Sequence, residues 1–415
     1  MRRLTTSPRA GWQKRVEKVG LTYHTLADGT PYWDEGAYWE FSSAEIDRLE
    51  AATAELQKLA LAAGDVILDQ DRLSQMSIPK AAAAAIRASW NSEPPAIYGR
   101  LDLAYDGNSI KLLEYNADTP TGLLEAAVVQ WYWLKDCFPK SDQFNSLHEK
   151  LIAKWKDLKD YTTSPVYFAA GGSEEDNITV SYMRDTAEQA GMHTRHISMH
   201  QIGWDSKRCC FVDLDNKVMG TIFKLYPWEW MLNEPFGQNA LSTLPPNSPL
   251  QEYGPRKDRR MWGSMLWIEP IWKMMWSNKA LLAILWELNP GHELLLPAYL
   301  DGPRNLSSYV RKPLLGREGG GIAVVQEGKV VAGSLDGENA QGYVYQALAP
   351  MAKADGKTAV FGSWLIDGEP AGMGIRESTG PKGTSQAFHI SAGFSCNGDC
   401  MRKARWVAVS QPKSI

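Results

Sequence analysis

Residues 97–116 constrain the fold more than any other stretch of this chain. Ile97-Tyr98-Gly99-Arg100-Leu101-Asp102-Leu103-Ala104-Tyr105 has the composition of a strand, Asp106-Gly107-Asn108 that of a turn, and Ile110-Lys111-Leu112-Leu113-Glu114-Tyr115-Asn116 that of the returning strand. Side chains alternate along a strand, so Arg100 and Asp102 share one face, as do Glu114 and Asn116. If the turn pairs Asp106 with Ile110, Asp102 lies opposite Glu114 and Arg100 opposite Asn116. Opposed like charges repel, so this register calls for a compensating cation, and two carboxylates with an amide oxygen suit Mg²⁺, phosphates completing its shell. The alternatives are carboxylates on a solvated sheet face, or a register slip by one residue that separates them.

The remainder reads as a mixture of helices and strands. The stretch 43–63, with Ser43 as cap, places Ile46, Leu49, Leu56 and Leu59 at helical spacing; a second helix covers 79–90, and Glu93-Pro94-Pro95 ends it. With 415 residues, the chain exceeds the roughly 100–200 residues of one domain, so two or three coupled lobes are expected. A hydrophobic content of 44% and a charge of −4 describe a folded protein without the broad basic field of a nucleic-acid binder. No apolar run approaches the roughly 18–20 residues of a membrane span, so a cytoplasmic protein is expected. Five scattered cysteines are expected as thiols; Cys396 and Cys400 have the spacing of half a metal site, without a second pair. His193, His196 and His200 lie close together in a strand and loop, with no carboxylate in register, and support no metal site.

Further along, 359–377 form a second predicted hairpin around Asp367-Gly368-Glu369-Pro370. Its glycine-rich return strand leaves room at Gly372 and Gly374 for a backbone or ligand, and carries Arg376. Ser277 is a predicted cap for an apolar helix with Lys279 in its first turn, where a cation opposes the helix dipole unless an anion binds nearby. Lys312 ends a strand that leads into Gly316-Arg317-Glu318-Gly319-Gly320-Gly321, a loop suited to contacting phosphates and closing as a lid. Gly356-Lys357-Thr358 ends like a phosphate-binding P-loop, but Met351 stands where its first glycine belongs. His389-Ile-Ser391-Ala-Gly393 lacks the first glycine of a hydrolase nucleophile elbow.

Five blocks then stand in order: Tyr98-Gly-Arg100-Leu-Asp102, Leu113-Glu114-Tyr-Asn116-Ala-Asp118-Thr119-Pro-Thr121, Trp276-Ser-Asn-Lys279, Tyr309-Val-Arg-Lys312-Pro and Gly372-Met-Gly-Ile-Arg376-Glu377. Together they resemble the signature of the glutathionylspermidine synthetase family, across about residues 98 to 377. The resemblance implies an α+β ATP-grasp fold, with nucleotide held between two sheet-containing lobes, and an ATP- and Mg²⁺-dependent ligase joining a small acid to an amine through an acyl phosphate. It makes Asp102, Glu114 and Asn116 the metal ligands, and it sets Arg100 and Arg376 against the transferred phosphoryl group. Lys279, Lys312, Gly319 and Gly320 would hold the nucleotide, with Gln346 and Leu348 on the adenine side. Thr119 and Thr121 would contact the acid, and the acidic loop at Glu174 and Glu175 the amine.

On this reading the chain divides into a mainly helical part, 1–95, a metal- and substrate-binding region, 96–260, a nucleotide-binding region, 261–395, and a tail, 396–415. A monomer or homodimer is expected. The bifunctional members of the family carry an added amidase domain, for which this chain is too short. Thr119-Pro120-Thr121-Gly122 stands where glutathione-using members have serines and a cysteine, so the chain looks like the stand-alone acid–amine ligase branch. Two other classes compete: an ATP-grasp relative that only binds nucleotide, and a carbohydrate-binding or carbohydrate-active protein, suggested by 17 tryptophans and paired carboxylates.

Overall fold

The computed structural model describes residues 1–244, 265–317, 319–336, 339–379, 389–391 and 394–397. The two predicted hairpins, the second starting 241 positions after Asn116 ends the first, lie side by side in one sheet. Tyr98–Tyr105 pairs antiparallel with Ile110–Asn116 on one flank and with Lys357–Ile366 on the other, and Glu369–Ser378 follows. Asp102 faces Glu114 and Arg100 faces Asn116, as predicted, but by a different route. The turn pairs Tyr105, not Asp106, with Ile110, and a bulge between Asp102 and Leu103 inserts Leu113 as an extra residue. The bulge restores the register that the wider turn would have shifted. In the second hairpin Asp367 and Gly368, both at positive φ, make the turn, so Glu369 and Pro370 belong to the return strand.

A five-stranded antiparallel sheet follows the order Ala298–Tyr299, Tyr343–Ala347, Tyr309–Pro313, Ala323–Gln326, Lys329–Ala332. A parallel sheet has the order Leu266–Ile268, Thr221–Leu225, Val166–Ala170, Thr194–Ser198, with helix Glu174–Gln189 crossing between its last two neighbours. The long helix Ser43–Asp69 begins one residue earlier than predicted: Ser42 is the cap, and its hydroxyl and the Glu45 side chain form a reciprocal capping box. Its buried stripe of Ile46, Leu49, Leu56 and Ile67 joins the core beneath the first hairpin.

Many of the described tryptophans pack in the core. Trp272 and Trp276 are buried, Trp90 meets both edge-on, and Trp276 stacks on Tyr115 with ring centroids 5.2 Å apart. Trp267 is also buried and Trp286 partly so; Trp262 lies outside the described residues. No helix among the described residues is long and apolar enough to cross a membrane. No group of three or more His, Cys, Asp or Glu residues suited to a metal ion occurs among them either, His193, His196 and His200 included. The Cys396 side chain and Cys400 lie outside the described residues.

One buried ion pair fixes the loop after the first hairpin. Lys224, from the parallel sheet, donates to Asp118 Oδ1 at 2.7 Å, and the Trp228 amide donates to Oδ2 at 3.0 Å. Both partners are almost fully buried, and burial pulls the Lys224 pKa below that of an ordinary lysine despite the attraction of Asp118. Removing one member strands the other charge, so Asp118→Ala is expected to lower unfolding free energy by about 3–5 kcal/mol. A urea titration followed by tryptophan fluorescence measures it; a loss below about 1 kcal/mol contradicts the pair's structural importance.

Candidate active site

A cleft of about 1480 Å³ separates the hairpin sheet from the five-stranded sheet, and all fifteen predicted site residues line it. Arg100, Asp102, Glu114, Asn116 and Arg376 come from the hairpins, and Lys312, Gln346 and Leu348 reach it from or beside the five-stranded sheet. Asp102, 3% exposed, lies at the centre of the charges. Its Oδ1 accepts from Arg100 Nε at 2.8 Å, and its Oδ2 from the Arg376 guanidinium and, at 3.3 Å, from Asn116 Nδ2. The same Asn116 nitrogen donates to Glu114 Oε1 at 3.2 Å, bridging the two carboxylates.

Glu114 Oε2 lies 3.1 Å from Lys279 Nζ. Burial alone would raise the Glu114 pKa, but Lys279, Lys312, the contact with Asp102, and Arg376 outweigh it and hold Glu114 well below the usual carboxylate range. The opposed carboxylates are also flanked by the protein's own cations, Arg100 and Arg376 at Asp102 and Lys279 at Glu114. Their oxygens do suit a hard divalent ion, with the Asn116 amide oxygen as a third donor once the amide turns over.

Ser277 is not the helix cap that the sequence suggests. Its hydroxyl accepts from the amides of Ala117 and Asp118 at 3.1 and 2.8 Å, pinning the loop that carries Thr119, while Asn278 Oδ1 accepts from the Ala280 amide at the start of helix Ala280–Leu288. Lys279 immediately precedes that helix, and its Nζ donates to the Gly316 carbonyl at 2.7 Å. Lys312 Nζ donates to the carbonyl of the bulged Leu113 at 2.8 Å and to Gln346 Oε1 at 2.7 Å. Burial pulls the Lys312 pKa down to about 8, with Glu114 opposing that shift. Gln346 Nε2 in turn donates to the Leu112 carbonyl at 2.9 Å, so this side chain ties the five-stranded sheet to the hairpin and keeps one N–H in hand.

Gly319 and Gly321 have φ of 74° and 70°, the left-handed turns that a residue with a side chain resists. Beside them Arg317 spans the cleft, donating to Thr119 Oγ1 at 2.9 Å and to Glu229 Oε1 at 3.2 Å, with its guanidinium 5.2 Å from the Trp230 ring centre. The Thr121 carbonyl accepts from Arg100 at 2.5 Å. Glu174 and Glu175 are not in a loop preceding a helix but form its first turn, with Ser173 as cap. Gly372 and Gly374 admit protein, not ligand: a β-carbon would strike Leu147 at the first and press on Ala126 at the second. The small residue that serves the site is Gly362, opposite Asp102, where a β-carbon would lie 2.9 Å from the Arg100 stem.

Carboxylates, arginines and lysines are thus grouped in one cleft between two sheets, with a glycine loop at its rim. The family model for the glutathionylspermidine synthase preATP-grasp region matches residues 3–391, and the chain belongs to the glutathionylspermidine synthase family. A Haemophilus influenzae protein named "Putative acid--amine ligase" is 37% identical over 395 residues, covering 91% of this chain and 95% of its own length. Trypanothione synthetase of Crithidia fasciculata is 29% identical over 76% of this chain and 50% of its own length. The bifunctional glutathionylspermidine synthetase/amidase of Escherichia coli is 28% identical over 82% of this chain and 56% of its own length. The aligned region is thus about half of each of these last two proteins.

Proposed function

We propose that the chain is an ATP-grasp ligase that uses ATP and Mg²⁺ to join a small carboxylic acid to an amine. The observation that carries this reading is the convergence of Arg100, Asp102, Glu114, Lys279, Lys312 and Arg376, drawn from distant parts of the sequence, on one cleft. A lone carboxylate is a poor acyl donor, because amine attack must expel oxide. Phosphorylation by ATP turns that oxygen into a good leaving group.

Asp102, Glu114 and Asn116 would hold Mg²⁺, which supplies charge neutralisation to the phosphates. Arg100 and Arg376 face the position where charge develops on the transferred phosphoryl, already oriented by Asp102. Lys279 and Lys312 supply cations to the nucleotide phosphates, and Gln346 with the Leu348 segment borders the base. The loop at Gly319 and Gly320, latched over Thr119 by Arg317, excludes water that would hydrolyse an acyl phosphate. Thr119 and Thr121 border the acid and Glu174 and Glu175 the amine, and the names of the relatives suggest peptide acids and polyamines as the first compounds to try. A panel of amino acids, peptides and polyamines is tested for ADP release. ADP release that requires acid and amine together, with the condensed product found by mass, supports the ligase. Nucleotide binding without turnover across the panel overturns it.

Lys312 gives this reading a pH signature. Its ammonium is charged below about 8 and loses its proton above. MgATP affinity is therefore expected to weaken about tenfold between about pH 7 and pH 9, the range over which a group of that pKa becomes neutral. Titration calorimetry measures the trend, and Lys312→Met should flatten it. An unchanged slope in that variant assigns the effect elsewhere.

A further inference from the structure

Behind the wall of the cleft lies a carboxyl group that the chemistry above does not use. Glu125 opens the short helical turn Glu125–Val129 and is 2% exposed. Its Oε1 accepts from the Tyr32 hydroxyl at 2.8 Å, while its Oε2 has no hydrogen-bond partner among the described residues. The same hydroxyl lies 3.3 Å from Glu175 Oε1, and Tyr32 and Glu175 both line the cleft. A buried carboxylate oxygen that receives no donor is costly, and it calls for a proton or a cationic partner. Burial, then the neighbouring Glu175 charge, push Glu125 up to about 7, with the Tyr32 hydroxyl and Arg100 pulling the other way. Burial and the two carboxylates hold the Tyr32 phenol well above its ordinary pKa, so it remains a donor.

The charged and titratable groups facing Glu125 are thus Tyr32 from the N-terminal segment, Glu175 from helix Glu174–Gln189 and Arg100 from the first hairpin. Strand Glu369–Ser378 packs on this turn with Gly374 against Ala126, and helix Leu147–Asp157 with Leu147 in the same apolar core. Helix Gln130–Cys137 continues the turn and contributes Gln130, which donates to the Ala126 carbonyl.

We propose that Glu175, Tyr32 and Glu125 receive the amine and store the proton it sheds, with Glu175 touching a primary alkylammonium and Glu125 acting through Tyr32 as a positioning residue. This rests on the ligase reading. The ammonium gives one proton to the Glu175 carboxylate. The new Glu175 O–H donates to the Tyr32 oxygen as the Tyr32 proton passes to Glu125, so Glu175 and Tyr32 recover their starting states. The neutral nitrogen then bonds to the acyl carbon and the carbon–oxygen bond to phosphate breaks. Phosphate departs with the electron pair and takes the second proton from nitrogen. The shorter Tyr32 contact sets the direction: its hydrogen points to Glu125, which leaves an oxygen lone pair toward Glu175.

The test compares two nucleophiles on the acid that the ADP screen identifies. Hydroxylamine is largely uncharged at neutral pH and traps an acyl phosphate without needing a proton acceptor; 1,3-diaminopropane arrives charged. In Glu125→Gln and in Tyr32→Phe, the ratio of diaminopropane turnover to hydroxylamine turnover is expected to fall about a hundredfold, the scale of general-base assistance. Glu125→Asp should restore part of it. Wild-type turnover with diaminopropane should rise with pH through about 7 and lose that rise in Glu125→Gln. A ratio within about threefold of wild type in both the Gln and Phe variants, well below the general-base range, overturns the proposal and leaves the ligase standing. Absence of hydroxamate with the wild-type enzyme overturns the ligase reading and this proposal with it.

Discussion

Asp102→Asn is expected to lower acid-stimulated ATP turnover by about 10²- to 10³-fold, the range found when a group that stabilises transferring charge is removed. Asparagine keeps the shape of the side chain but removes the anion that Arg100 and Arg376 both contact. Each guanidinium is then free to leave the position it holds against the phosphoryl group, and one of the oxygens available to Mg²⁺ loses its charge. The defect should lie in kcat, because Lys279 and Lys312 remain to bind nucleotide. A steady-state ADP assay, with MgATP affinity measured separately by calorimetry, checks this. An Asn variant within about fivefold of wild type, below the usual effect of such a group, contradicts a central role for Asp102.

Arg376→Met should have an effect of similar size, about 10³-fold, because an arginine directed at a transferring phosphoryl group acts mainly in the transition state. Methionine retains part of the apolar stem on a strand whose neighbours are buried, so the fold should survive. The loss should again appear in kcat, with a small change in the apparent KM for ATP. A variant that loses ATP affinity but keeps kcat would assign Arg376 to ground-state binding instead.

How far the site was legible in the sequence depends on the distance over which each contact forms. The opposition of Asp102 and Glu114 was readable, since strand alternation and a short turn determine it locally. The bulge at Leu113 was not, and the correct pairing followed from a turn assigned one residue too short together with a ladder assumed regular. Lys312 and Gln346 show why it matters: they bond to the carbonyls of Leu113 and Leu112, which only the bulged backbone presents to them. Ser277 carried the local signature of a cap, but tertiary structure directs its hydroxyl to a loop 160 residues away. The Lys224–Asp118 pair and the Arg317–Glu229 latch had no local signal, because their partners approach only after the sheets have packed. Tyr32, Glu125 and Glu175 were separated in the same way, and only Glu175 stood within a motif.

The most direct measurement uses an acid substrate labelled with ¹⁸O in its carboxylate. In-line phosphorylation and amine attack leave one carboxylate oxygen on phosphate, so each inorganic phosphate released should carry one ¹⁸O atom, read by ³¹P NMR or mass spectrometry. Amide formed with unlabelled phosphate would contradict the account, because the acid would not have been activated at its oxygen by ATP.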